Sequence, residues 1–295
     1  MGADYGPVGR LRLMPERLRA AAYVDLRHRL DDTTLVVSTG RSGSTWVAEV
    51  INHRNEYRLV FEPFRNDRVR KARPFRLGQY IDPADQSHPL ARTIDALLAG
   101  RVRSFWVDRP NRRRLVSRRI VKEIRITNLL PWIRARHPAL PVVYVVRDPV
   151  AVARSWLQLG WSDELDELLA QPQLLARFAG LGDEITAIAR DDDPFGRHVL
   201  RWCLENAIPL REHASLGVHL VVYEQLRATP EPELARLFAY LGRSAAGALE
   251  AVRKPSRTAG FPRRRVAAVT DAERRRAREI LELFGLRGLA PRETG

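Results

Sequence analysis

Brief apolar runs alternate with longer amphipathic stretches along this chain. Leu35-Val36-Val37, Tyr57 to Phe61, Ile120 to Ile124, Val142 to Val146 and Val218 to Tyr223 are short and rich in β-branched or aromatic residues, which predicts strands. Val142-Val143-Tyr144-Val145-Val146 is apolar almost throughout, as a strand covered on both faces would be. The intervening segments follow a helical period. Pro15 to Leu30 places Leu18, Ala22, Leu26 and Leu30 at four-residue steps, and Val47 to Ile51 continues as a helix from a glycine turn. Leu90 to Leu98, Thr127 to His137 (capped by Thr127, with Pro131 early), and a segment through Ala151, Val152, Ser155 and Trp156 are further helices. Phe195 to His213 is long enough for five turns and sets Trp202 and Asn206 on one face. Pro230 and Pro232 open a helix that Gly242 stops, and Asp271 to Phe284 closes the pattern.

Strands alternating with helices predict an α/β fold around a parallel sheet, whose ligands gather at the carboxyl ends of the strands. No repeat or linker-like tract divides the chain. One domain over 1–295 is expected, with 1–32 as a helical extension and 65–119 and 160–195 as variable regions facing an acceptor. Within Ile120 to Ile124 a period of two puts Ile120, Lys122 and Ile124 on one face and Val121 and Glu123 on the other. A lysine in such a strand needs either a partner or an exit to solvent.

Composition narrows the class. Of 295 residues, 45% are hydrophobic and 29% charged, a globular balance. Cys203 is the single cysteine, so no internal disulfide framework exists and a reducing compartment fits. No apolar run reaches membrane-spanning length and the amino terminus lacks a signal-peptide core, so a cytoplasmic enzyme is expected. The net charge of +15 rests almost wholly on arginine, with Lys71, Lys122 and Lys254 the only lysines. Such charge attracts anions: a phosphorylated cofactor, an acidic acceptor or nucleic acid.

The chemistry concentrates after the first strand. In Ser38-Thr39-Gly40-Arg41-Ser42-Gly43-Ser44-Thr45-Trp46 the glycines permit a tight turn, and the helix that follows aims backbone N–H groups at one point. Arg41 adds a fixed cation, and Ser42, Ser44 and Thr45 add hydroxyls. This is no Walker A loop, since two residues separate Gly40 from Gly43 and no lysine follows. Arg147 at a strand end and Ser155, eight residues on, are spaced to face one phosphate. Glu62, beside Pro63 at another strand end, is either a carboxylate held near the same crevice or a solvated loop residue.

Four segments resemble the sulfotransferases that use 3′-phosphoadenosine 5′-phosphosulfate. Gly40 to Trp46 is similar to their 5′-phosphosulfate loop, in the arginine form of Golgi carbohydrate and tyrosylprotein members. Asn52-His53 through Phe61-Glu62-Pro63 continues that resemblance. Val146-Arg147-Asp148-Pro149 with Ser155 resembles the 3′-phosphate motif. Tyr223-Glu224-Gln225-Leu226 resembles the adenine-side segment, and Lys254-Pro255-Ser256 the carboxyl-terminal phosphate loop.

The resemblance implies a P-loop-like three-layer α/β/α fold with a central parallel sheet. It implies that Arg41, Ser42, Gly43, Ser44, Thr45 and Trp46 hold the 5′-phosphosulfate side. Arg147, Ser155, Ser256 and Arg257 would hold the 3′-phosphate, with Tyr223 near adenine. It implies metal-independent, in-line transfer of a sulfuryl group to a hydroxyl, less readily an amine, leaving adenosine 3′,5′-bisphosphate. Where cytosolic relatives carry a histidine base, two residues after a lysine, this chain has Ile124 after Lys122. Glu62 then matches the base of the tyrosylprotein branch, with Arg41 and Lys122 stabilising developing charge. The expected acceptor is a small natural product, glycan or glycolipid of a bacterial cell. Two other classes compete: a phosphotransferase, which lacks its Gly-Lys-Ser/Thr, and a nucleic-acid binder, which has charge but no motif.

Overall fold

The computed structural model describes residues 24, 25, 27–111, 115–254 and 269–289. The chain enters through a two-residue strand β1 (Val24–Asp25), and a 3₁₀ turn (Leu30–Asp32) leads into β2 (Thr33–Val37). After the glycine turn come α1 (Ser44–Ile51), β3 (Arg58–Phe61), α2 (Ala91–Leu98), α3 (Phe105–Asp108), β4 (Leu115–Val116) and β5 (Arg119–Glu123). Next are α4 (Leu130–Arg136), β6 (Val142–Val146) and α5 (Pro149–Leu159). The short helices α6 (Leu165–Leu169), α7 (Pro172–Ala176) and α8 (Gly182–Arg190) precede the long α9 (Pro194–Glu212). The chain finishes with β7 (His219–Val222), α10 (Tyr223–Ala228), α11 (Pro230–Tyr240), α12 (Ala248–Arg253) and α13 (Asp271–Leu283).

Five strands form one all-parallel sheet in the order β3-β5-β2-β6-β7. Register pairs Val37 with Glu123, Phe61 with Lys122, Val36 with Val143, and Val146 with Val222. From central β2 the chain first builds one side of the sheet, then crosses to the other. The strand ends on either side of that switch frame a crevice.

Side-chain alternation divides the core as the pleat demands. Leu35, Val37, Val60, Val121, Val142 and Tyr144 face α2 and α4. Val36, Leu59, Ile120, Val143, Val145 and Val221 face α1, α11 and α12. Helices on both faces make the sandwich three layers deep. A third apolar cluster joins α5 to α9 and α13 around Trp156, Trp202 and Phe284. Each fully buried valine or leucine there contributes about 1.5–3 kcal/mol. Tyr144 ties sheet to helix by donating to Asn206 Oδ1 on α9 at 2.6 Å. Among the described residues no helix is long and apolar enough to cross a membrane.

Some expectations need correction. The helix expected over Pro15 to Leu30 lies mostly outside the described residues, but Val24–Asp25 pairs as a strand with β4 and Leu30 opens a 3₁₀ turn. An edge offered by Leu115–Val116 overrides the helical period there. Thr127 is not a helix cap: it begins a 3₁₀ turn (Thr127–Leu129) that runs into α4, and no side chain caps either. The short α3 and α12 were not legible in the residue pattern.

Candidate functional site

Every strand of the main sheet delivers chemistry at its carboxyl end. After β2 the chain turns through Gly40, Arg41 and Gly43, with φ of +71° at Arg41 and +89° at Gly43. Ser38 Oγ donates to Ser44 Oγ at 2.8 Å, and the Thr39 and Ser42 hydroxyls lie 3.3 Å apart, so the buried hydroxyls brace the turn from inside. Ser42 and Ser44 are buried, whereas Arg41, Gly43 and Thr45 are partly open. Gly43 sits at the N-cap of α1, whose first N–H groups have no partner within the helix and face outward as anion donors.

The residues after β6 and β7 close on this turn. Arg41 Nε donates to Ser155 Oγ on α5 at 3.1 Å, and Arg147 Nη1 donates to the Arg41 carbonyl at 3.1 Å. Arg147 and Ser155 thus meet through Arg41. The Arg147 guanidinium lies 4.7 Å from the Tyr223 ring centre, and its buried Nε has no hydrogen-bond partner, only Glu224 at 3.9 Å. Tyr223 stands edge-on to Trp46 at 5.5 Å and covers Gly43 so closely that a Cβ there would fall 2.5 Å from Tyr223 Cδ2. Only glycine fits. A second buried donor without a partner, Trp156 Nε1, lies 3.4 Å from where a Cβ on Gly40 would stand.

Glu62 follows β3, and it is no solvated loop residue. It is 6% exposed, with φ of +45°. Lys122 Nζ donates to Glu62 Oε1 at 2.7 Å, while Arg125 approaches Oε2 at 3.4 Å and Arg65 at 3.9 Å. Burial raises the Glu62 pKa, but Lys122, Arg125 and Arg65 outweigh it and hold the carboxyl at about 2. Lys122, at the end of β5, has found the partner its position required. Neighbouring Glu123 is fully buried and pushed up by burial, against Arg125 and the N–H groups of Ile124 (2.7 Å) and Phe64 (2.8 Å) that its oxygens accept.

A cavity of about 250 Å³ opens beside this cluster. Arg65, Asp67 and Phe75 line it from one variable segment, Glu164 and Glu167 from the other, with Arg125 between. Among the described residues four non-glycine residues have positive φ, and Arg41, Glu62 and Glu164 all belong to this end of the sheet. Such strain gathers where a backbone must present a side chain rather than relax.

Most of the sequence-derived set comes together here: Arg41 to Trp46, Arg147, Ser155 and Tyr223 around the turn, Glu62 and Lys122 beside it. Ser256 and Arg257 lie outside the described residues. Asn52 does not join the site. It clasps Tyr57 through its backbone at the opposite end of α1. Arg65 and Arg125 were missed, because in an arginine-rich chain nothing in the sequence separates them from solvated neighbours.

The family model described as sulfotransferase domain matches residues 31–268. Among solved structures, the sulfotransferase domain from the curacin biosynthetic pathway aligns at 16% identity and TM-score 0.43, over 86% of this chain and 98% of its own. The sulfotransferase domain from the Synechococcus PCC 7002 olefin synthase aligns at 12% and 0.42, over 89% and 98%. A sulfotransferase from Alicyclobacillus acidocaldarius aligns at 12% and 0.43, over 89% and 96%. No curated protein matches the sequence. The chain belongs to the sulfotransferase-domain family.

Proposed function

We propose that this sulfotransferase takes its sulfuryl group from 3′-phosphoadenosine 5′-phosphosulfate and passes it to a hydroxyl of a polar, hydroxyl-rich acceptor. The carrying observation is the glycine turn under Tyr223, where Arg41, Ser155 and the orphaned Arg147 Nε converge. Partnerless donors, a cradle that a Cβ would fill and an aromatic wall suit a nucleotide bearing more than one anionic group. Arg41, Ser42, Ser44 and Thr45 with the first turn of α1 would hold the 5′-phosphosulfate, and Arg147 with Ser155 the 3′-phosphate. Tyr223 and Trp46 would flank the base, with Ser256 and Arg257 as further phosphate contacts.

When bound, the donor supplies a sulfur whose bond to a phosphate oxygen breaks as the acceptor oxygen bonds to it. Glu62 would take the acceptor proton. At neutral pH it is ionised, the state that can accept one, though the cations beside it depress its basicity. Arg41 and Lys122 would offset charge on the transferring oxygens and the departing phosphate. The cavity of mixed charge beside Glu62 supports a sugar-like acceptor, a glycan, glycolipid or polar natural product, over a flat apolar one. No metal is assigned a role.

Calorimetric titration with adenosine 3′,5′-bisphosphate and with ATP, each with and without magnesium, tests this. Metal-independent bisphosphate binding that weakens roughly 10–100-fold in Arg147→Ala is expected. Preference for magnesium-ATP, or indifference to the 3′-phosphate, would overturn the donor assignment.

A further inference from the structure

The amino-terminal end of the sheet, behind the crevice, carries a second basic pocket apart from the proposed donor and acceptor sites. Arg54 follows α1, Tyr57 precedes β3, Arg118 precedes β5, and Arg243 follows α11. With His53 and Glu56 they line a cavity of about 190 Å³. That is below the roughly 300–1,000 Å³ of pockets for drug-sized ligands, and it suits a small ion or a compact head group. The pocket lies at the far end of α1 from the glycine turn, about 12 Å away along a helix of this length.

Its cations have no close carboxylate among the described residues, although Tyr57, with Asp32 and Glu56 further off, raises the Arg118 pKa. The Arg243 guanidinium stacks 4.0 Å from the Tyr57 ring centre, and Nη2 reaches Thr34 Oγ1 at only 3.4 Å. Arg243 Nη1 is buried with no hydrogen-bond partner. Arg118 Nη1 touches the Tyr57 hydroxyl at 3.5 Å, and Arg54 Nη2 donates to the Ala246 carbonyl at 3.1 Å. Among the described residues none of these three arginines forms an ion pair, and Glu56, the one acid in the lining, is exposed. Burial pushes the Arg243 pKa down and neighbouring Arg118 adds to that, with Tyr57 and Glu56 opposing. By contrast Arg58, at the same end of the sheet, is buried with Asp108 against it at 2.8 Å.

A half-buried guanidinium with an unmet N–H, facing a second guanidinium across a cavity, is unfavourable as it stands. Arginine's planar fork matches phosphate and sulfate oxygens, which would satisfy Arg243 Nη1 and relieve its repulsion from Arg118. We propose that this pocket is a second anion site, separate from the crevice, which binds a tetrahedral oxyanion either free or as the terminal group of a small ester. Tyr57 forms its apolar wall, and Arg118 and Arg243 clamp the anion.

The test titrates inorganic phosphate into the full chain carrying Arg147→Ala, at fixed ionic strength, so that one arginine of the crevice is gone and the binding that answers to Arg118 is told apart from what the glycine turn still holds. Saturable binding is expected to persist there and to fall roughly tenfold or more on adding Arg118→Gln, an exposed change that leaves the core intact. Arg243→Lys, which keeps the charge but loses the fork, should also weaken it. Phenyl phosphate run beside inorganic phosphate tells an esterified group from the free ion by which binds tighter. Loss of phosphate binding in Arg147→Ala alone, no binding at millimolar concentration, or indifference to Arg118→Gln would each overturn the proposal. Because the Arg147→Ala background is common to all arms, failure of the donor reading leaves this result interpretable.

Discussion

Two buried ion pairs on adjacent strands face opposite ends of the sheet and serve opposite ends. Arg58, at the start of β3, gives both Asp108 oxygens a hydrogen bond (2.8 and 3.2 Å) and reaches the Gly100 carbonyl at 2.7 Å. Lys122, at the end of β5, has three donors and spends one on Glu62, with the Phe61 ring centre 4.8 Å away. Burial leaves the Asp108 pKa raised despite Arg58 against it and Arg103 nearby. Glu62 meets Lys122, Arg125 and Arg65 together, and its pKa falls. A buried charge is therefore no mark of function. What sets the proposed site apart is surplus cation and unspent donors at the carboxyl end of a strand.

Substitution should separate the two pairs. Arg58→Ala strands Asp108 in the core and should cost about 3–5 kcal/mol in urea unfolding, with turnover per folded molecule unchanged. A milder loss in stability with a collapse in turnover would merge the pairs into one class. Glu62→Gln should do the reverse. It keeps shape and burial yet should lower kcat roughly 10²–10⁴-fold in a sulfate-transfer assay. A kcat within threefold of wild type would move proton acceptance to another group.

Acid sharpens the contrast. The Glu62 pKa is depressed from 4.5 to about 2, so its stabilisation is complete above the unfolded value and lost as pH falls through the folded one. That window carries about 3 kcal/mol, by the 1.36 kcal/mol of each pKa unit. Stability measured from pH 5 to pH 2 should fall less steeply in Glu62→Gln. Asp108 is shifted the other way and its Asn variant should not share that flattening. Burial, with Arg201 adding to it, depresses His198 to about 4, so His198→Gln should remove an earlier loss between pH 6.5 and pH 4. Identical acid profiles in all three variants would dismiss the electrostatic account.

The sheet was readable because β-branched runs such as Val142 to Val146 admit few alternatives, and a parallel order follows from the helices between them. The glycine turn was readable because backbone geometry restricts its residues. Glu62 was harder: the letter alone fits a loop, and only three cations drawn from residues 65, 122 and 125 hold it in place. Arg125 and Arg65 had no sequence signal at all. Their selection is tertiary, made by which arginines fold back toward Glu62. The strand at Val24–Asp25 failed for a related reason, since an edge strand is chosen by its neighbour rather than by its own period.

Tyr223 covers Gly43 from the far side of the sheet, and that has a bearing on biosynthesis. The turn emerges early from the ribosome, while its aromatic cover is made only after most of the chain has been translated. Between those moments a growing chain gains Arg147 and Ser155 but still owns the loop without its wall. The proposed donor site is thus completed late, when the last strand docks at the sheet edge. Truncated products released before that strand carry the motif in sequence without the pocket in space.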